Sequence, residues 1–289
     1  MHYVQAKGIL SAKNGMNMYR GCQHGCIYCD ARSKCYQMKH VFEDIEVKEN
    51  APELLEQKLK GKRAKCMIGT GGMTDPYMPL EKDLKLTRRL LEIIRQYEFG
   101  LAIHTKSDLI LRDLDLLRDI NEKSKCIVQM TMTTYDETLC RKIEPNVCTT
   151  RERFEVLKTM HDNGIQTVVW LSPMLPFIND TEENIRGLLD YCIRAGVYGI
   201  ICYGIGVTLR EGDREYFYQK LDEKFPGIKQ KYQREYGNAY EVNSVHNSEL
   251  MQIVKETCLK HGIVSNADKV FAYMYTYESH EKMEQLSLF

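Results

Sequence analysis

This chain of 289 residues lacks several features that would point to a membrane or secreted protein. It contains no apolar run long enough to span a bilayer. Its first residues, MHYVQAKGILSAKNG, have no apolar core of a signal peptide. The net charge is zero because 40 Lys and Arg balance 40 Asp and Glu, so no overall attraction to nucleic acid is expected. We therefore expect a cytoplasmic protein with no membrane partner.

A disulfide framework is not indicated either, although the chain has 11 cysteines. Their number is odd, and thiols in the cytoplasm are kept reduced. Several scattered cysteines in apolar surroundings are predicted to pack as small buried hydrophobic residues. These are Cys66, Cys126, Cys192, Cys202 and Cys258.

A dense cysteine group lies in the segment GCQHGCIYCDARSKC, in which Cys22, Cys26 and Cys29 have the spacing C-x3-C-x2-C. Thiolates bind zinc or iron–sulfur clusters. A structural zinc site is closed by four protein ligands. Cys35 is the candidate for the fourth ligand, whereas His24 is poorly placed for this role. A four-iron cluster held by three cysteines instead leaves one iron open to a small molecule. The spacing by itself leaves both interpretations open.

The trio, with Tyr28 before its last cysteine, resembles the signature of the radical S-adenosylmethionine (SAM) superfamily. Further segments follow in the order found in the branch related to spore photoproduct lyase: NMYRGCQHGCIYCDAR, GTGGMTDPYMPLEK, HTKSDLILRDLDLL, TMTTYDETLCRKIEPN and WLSPMLPFIND. The resemblance covers roughly residues 10–205. It implies a [4Fe–4S] cluster on Cys22, Cys26 and Cys29, SAM as the second cofactor with Tyr28 beside it, and a reductant such as flavodoxin or ferredoxin. The implied chemistry is reductive cleavage of SAM to a 5′-deoxyadenosyl radical that takes hydrogen from the substrate.

Short apolar strands alternate with longer helical stretches along the chain. The strands are predicted at residues 16–19, 66–69, 101–105, 126–131, 167–171 and 199–203. Six such strand–helix units predict an α/β fold, a partial (β/α)6 TIM-like barrel over residues 1–205. Residues 206–280 are predicted to form a helical C-terminal extension that covers the barrel, and residues 281–289 a flexible tail.

Segments that follow the second and third predicted strands carry candidate SAM contacts, because active sites of barrels lie at the carboxyl ends of their strands. The resemblance places the motif that receives the SAM amino group at Gly71, Gly72, Met73 and Thr74. An ordinary strand-to-helix turn is the alternative. Lys106 is expected to meet a carboxylate or phosphate, with Ser107 beside it. A solvated lysine and a helix cap are the alternatives there.

Later strand ends supply the remaining candidates. Thr131 and Thr133 alternate and are expected to face the same side. The resemblance suggests Arg141 as a base that binds the SAM carboxylate, with a surface ion pair as the alternative. Pro173 and Leu175 are expected to line the adenine side.

The chain differs from the photoproduct lyases at the expected hydrogen donor. Those enzymes return a hydrogen atom from a cysteine in the loop after strand two, where this chain has the sequence GGM. Cys66 is predicted at the far end of that strand, and Cys140 is predicted to pack within a helix. Tyr77 or Tyr203 could act instead, and no catalytic residue is assigned.

The sequence ends in QLSLF, which is similar to the short peptide by which bacterial DNA-maintenance proteins bind the replication sliding clamp. Gln285 is expected to hydrogen-bond a groove edge, with Leu286, Leu288 and Phe289 as apolar anchors. The alternative is that these side chains pack on the domain. Two basic segments could contact DNA or could be solvated helix faces. They contain Lys58, Lys60, Lys62, Arg63 and Lys65, and then Lys224, Lys229, Lys231 and Arg234.

We therefore expect a radical SAM enzyme that acts on nucleic acid, in DNA repair or modification. One alternative is radical SAM modification of a peptide, a protein or a small molecule. Peptide-modifying members often carry further cysteine clusters near the C-terminus, whereas only Cys258 follows Cys202 here. A non-catalytic zinc-binding interaction module is the other alternative.

Overall fold

The computed structural model describes residues 1–280, in which strands and helices alternate. The strands are β1 (His2–Val4), β2 (Gly15–Met16), β3 (Tyr19–Arg20), β4 (Glu46–Lys48), β5 (Met67–Thr70), β6 (Gly100–Thr105), β7 (Cys126–Thr131), β8 (Gln166–Trp170), β9 (Gly199–Ile201), β10 (Gly206–Thr208) and β11 (Glu241–Asn243). The helices are α1 (Ala51–Lys60), α2 (Glu81–Leu84), α3 (Leu86–Gln96), α4 (Leu114–Lys123), α5 (Glu137–Ile143), α6 (Thr150–Asp162), α7 (Glu182–Arg194), α8 (Asp213–Lys224), α9 (Ile228–Tyr236), α10 (Asn247–His261) and α11 (Ala267–Tyr275). Short 3-10 helices span Asp30–Arg32, Lys34–Tyr36 and Asp108–Asp113.

A parallel six-stranded sheet in the order β2-β5-β6-β7-β8-β9 forms the centre of the fold. Each neighbour in space is also the next strand of this sheet along the chain, which is the arrangement that successive strand–helix units give. The first and last strands, β2 and β9, do not pair with each other in residues 1–280. The sheet is therefore an open partial barrel, and the fold class predicted from the sequence is confirmed.

Alternating residues of the strands point to opposite sides of the sheet. On β6, Leu101 and Ile103 pack in the main core with the surrounding helices. Ala102, between them, belongs to a separate inner cluster with Ile127 and Val168 of the neighbouring strands. Strands covered on both faces in this way read as continuous apolar runs, which is why they could be predicted from the sequence.

The first predicted strand, residues 16–19, is wrong as a single element. The chain forms β2, leaves the barrel sheet, and then forms β3 of a separate sheet in the order β1-β4-β3. Met18 lies between the two strands, and its carbonyl accepts a hydrogen bond from the Lys48 N–H just beyond the register of β3 with β4. Two-residue strands carry too little alternation to be separated by a sequence pattern.

The C-terminal segment also contains a two-stranded sheet, which the prediction of a helical extension did not include. Strands β10 and β11 pair in antiparallel fashion, while α8 to α11 supply the helices. Helix α11 packs against the inner face of the barrel, where Val270 and Met274 are fully buried. None of the helices in the described chain combines the length and apolar composition that crossing a bilayer requires.

Candidate active site

The carboxyl ends of the barrel strands surround a cavity of about 580 Å³, which is in the size range of small-molecule sites. The cysteine loop that follows β3 forms one wall, and the loops after β5, β6 and β8 form others. The structure brings together many of the residues predicted for the cluster and for SAM. They are Cys22, Cys26, Cys29, Tyr28, Gly71, Gly72, Met73, Thr74, Lys106 and Pro173.

Other predicted SAM contacts lie outside this cavity. Ser107 caps the 3-10 helix Asp108–Asp113 by accepting a hydrogen bond from the Leu109 N–H. Arg141 lies exposed on α5, and Leu175 packs in a second core cluster.

The two predicted threonines are also displaced from the cavity. Thr131 meets His104 instead, and Thr133 is fully buried without lining the cavity. Thr133 lies two residues beyond the end of β7, so strand alternation no longer fixes its direction. The tail residues Gln285, Leu286, Leu288 and Phe289 lie outside the described residues.

The spacing of the three thiols fits a cluster better than a single zinc ion. A zinc ion with Zn–S bonds of about 2.3 Å holds its sulfurs about 3.8 Å apart. In the described chain, the only three His, Cys, Asp or Glu side chains whose ligand atoms all lie within 4.8 Å of one another are His2, His40 and Glu46. At least one pair of sulfurs in the cysteine trio is therefore more than 4.8 Å apart, which exceeds the spacing around a shared zinc ion and is compatible with a multinuclear iron–sulfur core.

The electrostatics of the thiols indicate that a metal centre is bound to them. Burial raises the pKa of all three, and it raises that of Cys22 to about 12 together with the nearby Asp75 carboxylate. Ligands must nevertheless be thiolates, so the site requires a cationic centre bound to the sulfurs. The half-buried Lys106 interacts electrostatically with Cys26 and adds a positive charge to the same cavity.

Cys35 is turned away from the trio. It is exposed, it accepts a hydrogen bond from the Ser33 hydroxyl (3.2 Å), and it lies 3.3 Å from an Arg210 nitrogen. It does not line the cavity. The arrangement therefore leaves the cavity with three cysteine ligands.

Gly71 shows why the loop after β5 needs glycine. Its φ is +96°, and an added Cβ would lie 1.9 Å from the His104 carbonyl oxygen. The neighbouring Gly72 has open space, with no atom within 4 Å of an added Cβ. The first glycine lets the backbone pass β6, and the second exposes the peptide to the cavity.

We expect Gly71→Ala to destabilise the protein by at least about 2 kcal/mol, because the clash is with backbone that cannot rotate away. Gly72→Ala is the matched control and should change the free energy of unfolding by less than about 0.5 kcal/mol. Urea denaturation of both variants measures this. Equal stability of the two variants would contradict the backbone geometry described for this loop.

A buried polar group connects the cysteine loop with β6. The Asp75 carboxylate lies 3.0 Å from His24 Nε2, accepts from the Thr105 hydroxyl (2.7 Å), and accepts from the Lys106 backbone N–H (2.8 Å). Burial opposes ionisation of Asp75, but His24 and the hydrogen bonds outweigh it and lower the pKa. An ionised Asp75 thus fixes the position of Lys106 at the cavity wall.

A second buried polar group, formed by Glu144 and Arg153, stabilises the cysteine loop. Glu144 accepts a hydrogen bond from the Tyr28 hydroxyl and pairs with Arg153 at 2.6 Å, and both partners of this ion pair have fully buried side chains. Burial would raise the pKa of Glu144, but Arg153 and Lys106 lower it below its usual value. The Ile27 N–H also donates to the Ile143 carbonyl, so the loop is tied to the end of α5.

His104 lines the cavity, although it was not predicted as a site residue. Its Nε2 lies 2.8 Å from the Thr131 hydroxyl, and its ring stacks on Trp170 with centroids 5.4 Å apart. Burial, assisted by Lys106, lowers the pKa of His104 to about 3. The ring is therefore uncharged at neutral pH.

This shift predicts a pH dependence of stability. Because the folded pKa lies below the unfolded value of about 6.5, the unfolded chain binds the extra proton between these two values. The stabilising contribution is present above pH 6.5 and is lost as the pH falls. Between pH 7 and pH 5, the wild type should lose roughly 1–2 kcal/mol more unfolding free energy than His104→Gln. Denaturation curves at both pH values measure this, and equal losses would contradict it.

Several other cavity residues were missed because their signals are not local. Three of them come from the C-terminal segment, at least 40 residues beyond the end of β9: Glu241, Asn243 and Asn247. His24 was considered only as a poor zinc ligand, and Asp75 only as part of a strand-to-helix turn. An aspartate after a glycine-rich strand end was the one signal that could have identified Asp75.

The alternative hydrogen donors differ in position. Cys140 is buried beside Glu144 and Arg153, and Tyr77 is buried with its hydroxyl on Asp113. Neither lines the cavity, whereas Tyr203 lines it and is 69% exposed.

Comparison with known proteins identifies the family. The model of the radical SAM superfamily matches residues 16–192, more than half of the chain, and the protein belongs to this superfamily. It is thus an enzyme of a family whose cofactors are a [4Fe–4S] cluster and SAM, and both predicted cofactors are confirmed by this membership.

Two of the curated relatives carry the name uncharacterized protein. One from Methanocaldococcus jannaschii is 39% identical over 177 residues, which cover 60% of this chain and 65% of the relative. One from Mycobacterium tuberculosis is 27% identical over 234 residues, which cover 76% of this chain and 66% of the relative. The matches thus span slightly less than two thirds of these relatives' own lengths.

Solved structures of spore photoproduct lyase share the fold. One mutant structure aligns with a TM-score of 0.63 at 14% identity, covering 89% of this chain and 77% of the other. Another, with bound AdoMet and dinucleoside spore photoproduct, aligns with a TM-score of 0.59, covering 84% of this chain and 72% of the other. The predicted relation to the photoproduct lyase branch is supported at the level of the fold.

Proposed function

We propose that this protein is a radical SAM enzyme that removes a hydrogen atom from a nucleic-acid base or sugar, in DNA repair or modification. When bound, the cluster and SAM supply an electron and a 5′-deoxyadenosyl radical, and the chain supplies position and shielding from water. The observation that carries the proposal is a second cavity that joins the first inside the barrel.

The second cavity has a volume of about 660 Å³ and shares Gly72, Met73, His104 and Trp170 with the first. Its inner wall also contains Phe271 of α11. The cavity therefore leads from the strand ends into the barrel interior. A substrate group in this cavity would lie directly beside SAM in the first.

The lining of the second cavity suits a planar, uncharged ring. Trp170, Phe271 and Tyr275 provide aromatic faces, and aromatic side chains are the common platform for bases. Gln129 accepts a hydrogen bond from the Trp170 indole N–H at 2.9 Å, which leaves its NH2 group to read a base edge. Within residues 1–280, the only permanently charged side chain in the lining is Lys13, since His104 is neutral.

The mouth of this cavity is positively charged. Lys13 lines it, and Lys62 lies beside the lining residue Cys66. Lys62 belongs to the basic segment before β5, in which Lys58, Lys60, Arg63 and Lys65 are exposed. A base inside the barrel with its phosphate at the basic mouth therefore matches the charge distribution.

In the first cavity, the chain itself would perform three tasks for SAM. The Gly71–Gly72 backbone admits the amino acid portion closely. The Lys106 ammonium would pair with the SAM carboxylate, and Asp75 holds the Lys106 backbone in place. Pro173, from the loop after β8, supplies apolar contact.

The test is anaerobic incubation of reconstituted protein, SAM and reductant with damaged and undamaged DNA oligomers, followed by mass analysis. We expect at least one oligomer to change mass and to raise 5′-deoxyadenosine formation about tenfold. In Gln129→Leu, the stimulation of 5′-deoxyadenosine formation by the oligomer should fall about tenfold, because the base edge loses its hydrogen-bond partner. SAM cleavage without an oligomer should stay unchanged. Gln219→Leu on the exposed face of α8 is the matched control. Stimulation by peptides or small molecules but by no oligomer would overturn the nucleic-acid assignment.

We further propose that the C-terminal QLSLF sequence binds the DNA sliding clamp and that flavodoxin or ferredoxin is the reductant. The support for the clamp is the sequence itself, with Gln285 followed by three apolar anchors. Deleting residues 285–289 should abolish binding to purified clamp and leave SAM cleavage unchanged. Binding that persists after the deletion would overturn the clamp assignment.

A further inference from the structure

Three potential metal ligands meet at the edge of the small β1-β4-β3 sheet, outside both cavities. His2 lies on β1, Glu46 is its register partner on β4, and His40 comes from the preceding loop. Their ligand atoms all lie within 4.8 Å of one another. The two imidazole rings pack edge to face, with centroids 4.9 Å apart.

Hydrogen bonds fix which nitrogen of each ring is available. His40 Nδ1 lies 3.0 Å from the Val41 carbonyl oxygen, which can only accept, so Nδ1 carries the proton. His2 Nδ1 lies 2.9 Å from a carboxylate oxygen of Asp44, which also pairs with the N-terminal amino group. In the neutral form of each ring, Nε2 is then the lone-pair donor. Metal-binding histidines typically have this arrangement, with the other ring nitrogen held by a carbonyl or a carboxylate.

The available nitrogen of His40 has no partner within the described chain. The His40 Nε2 atom is buried and makes no hydrogen bond. It faces Glu46 Oε2 at 3.8 Å, which is too long for a hydrogen bond. A lone pair that faces a carboxylate is unfavourable unless a cation lies between them. Arg20, across from Glu46 on β3, donates instead to the Tyr36 carbonyl.

We propose that His2, His40 and Glu46 form a second metal site that binds Zn²⁺ or a similar divalent transition metal. Two imidazoles and one carboxylate are borderline ligands that suit zinc. His40 and Glu46 are only 17% and 20% exposed, which shields two ligands, while the 39% exposed His2 leaves room for a water ligand.

The position of the site gives it a structural role next to the cluster loop. The Cys22 N–H donates to the Phe42 carbonyl at 3.3 Å, and Phe42 lies two residues after His40. A metal ion at this site would therefore link β1 and β4 to the loop that carries His40 and Phe42. That loop contacts the backbone of Cys22, the first cluster cysteine. The site is independent of the SAM cavity and of the substrate proposed above.

The test uses untagged full-length protein with its cluster reconstituted, so that the three thiols are occupied, and Zn²⁺ as the probe. We expect one zinc per chain after removal of loosely bound metal. The apparent melting temperature should rise by about 5 °C at a zinc concentration 100 times Kd. His40→Ala and Glu46→Gln should lose both effects. His246→Ala, at an exposed histidine 3.7 Å from Glu249, should keep them.

Each variant is compared with and without zinc, so a variant that is merely less stable still gives a result. Co²⁺ in place of zinc should give visible d–d bands without the near-ultraviolet band of a cobalt–thiolate bond. The proposal is overturned by zinc binding that survives in His40→Ala, by a cobalt–thiolate band, or by no zinc beyond the reconstituted cluster. None of these results bears on SAM cleavage.

Discussion

Replacing Cys22, Cys26 or Cys29 by alanine will remove the iron–sulfur cluster and reduce SAM cleavage below detection. Each thiol lines the same cavity, and no other cysteine of the described chain does so. A cluster left with two protein ligands is not retained by a cavity of this kind. Iron and sulfide per chain, visible absorption and 5′-deoxyadenosine formation after anaerobic reconstitution measure the effect.

Cys35→Ala is the matched control in the same segment. Its exposed side chain contacts Ser33 and Arg210 rather than the cavity, so iron content and SAM cleavage should stay near the wild-type values. Loss of iron in this variant would show a fourth cysteine ligand. It would also remove the open coordination position on which binding of SAM depends.

Breaking the buried Glu144–Arg153 pair should cause the largest loss of stability. Arg153→Met leaves the Glu144 carboxylate fully buried without its cation, which costs about 3–5 kcal/mol. Because Arg153 also donates to the Thr131 and Cys148 carbonyls, these acceptors lose partners as well. Urea denaturation of the apoprotein measures the change independently of the cluster.

Two comparisons test the physical reason for this loss. Glu144→Gln combined with Arg153→Met removes both charges and should recover part of the stability lost in Arg153→Met alone. Arg186→Met breaks an exposed pair with Glu182 on α7 and should cost less than about 0.5 kcal/mol. Similar losses in Arg153→Met and Arg186→Met would contradict the account of the buried pair.

The parts of the fold that could be predicted from the sequence are those with local, repeated signals. The strands from β5 to β9 were located within about two residues, because each is an apolar run that follows a helix. Helix α6 begins with the capping box of Thr149 and Glu152, a pattern that local sequence contains. The cysteine spacing identified the family for the same reason.

Other features depend on contacts between distant residues. Helix α10 begins at Asn247 without a side-chain cap, so no local cap signal marks its start. Arg141 was expected in the site because of its place in a motif, yet α5 turns it to the surface. The arginine that pairs with the buried Glu144 carboxylate is Arg153 of α6. Which of two nearby arginines faces inward is decided by the packing of α5 and α6, and no local pattern records it.

The central claim is that one position of a three-cysteine cluster is available to SAM. The most direct test is electron–nuclear double resonance of the reduced, reconstituted protein with SAM labelled by ¹⁷O in its carboxylate. We predict a ¹⁷O coupling to the cluster that is present with wild type and with Cys35→Ala. A cluster spectrum with no ¹⁷O coupling, or a protein that retains only stoichiometric zinc at the cysteine loop, would contradict the account.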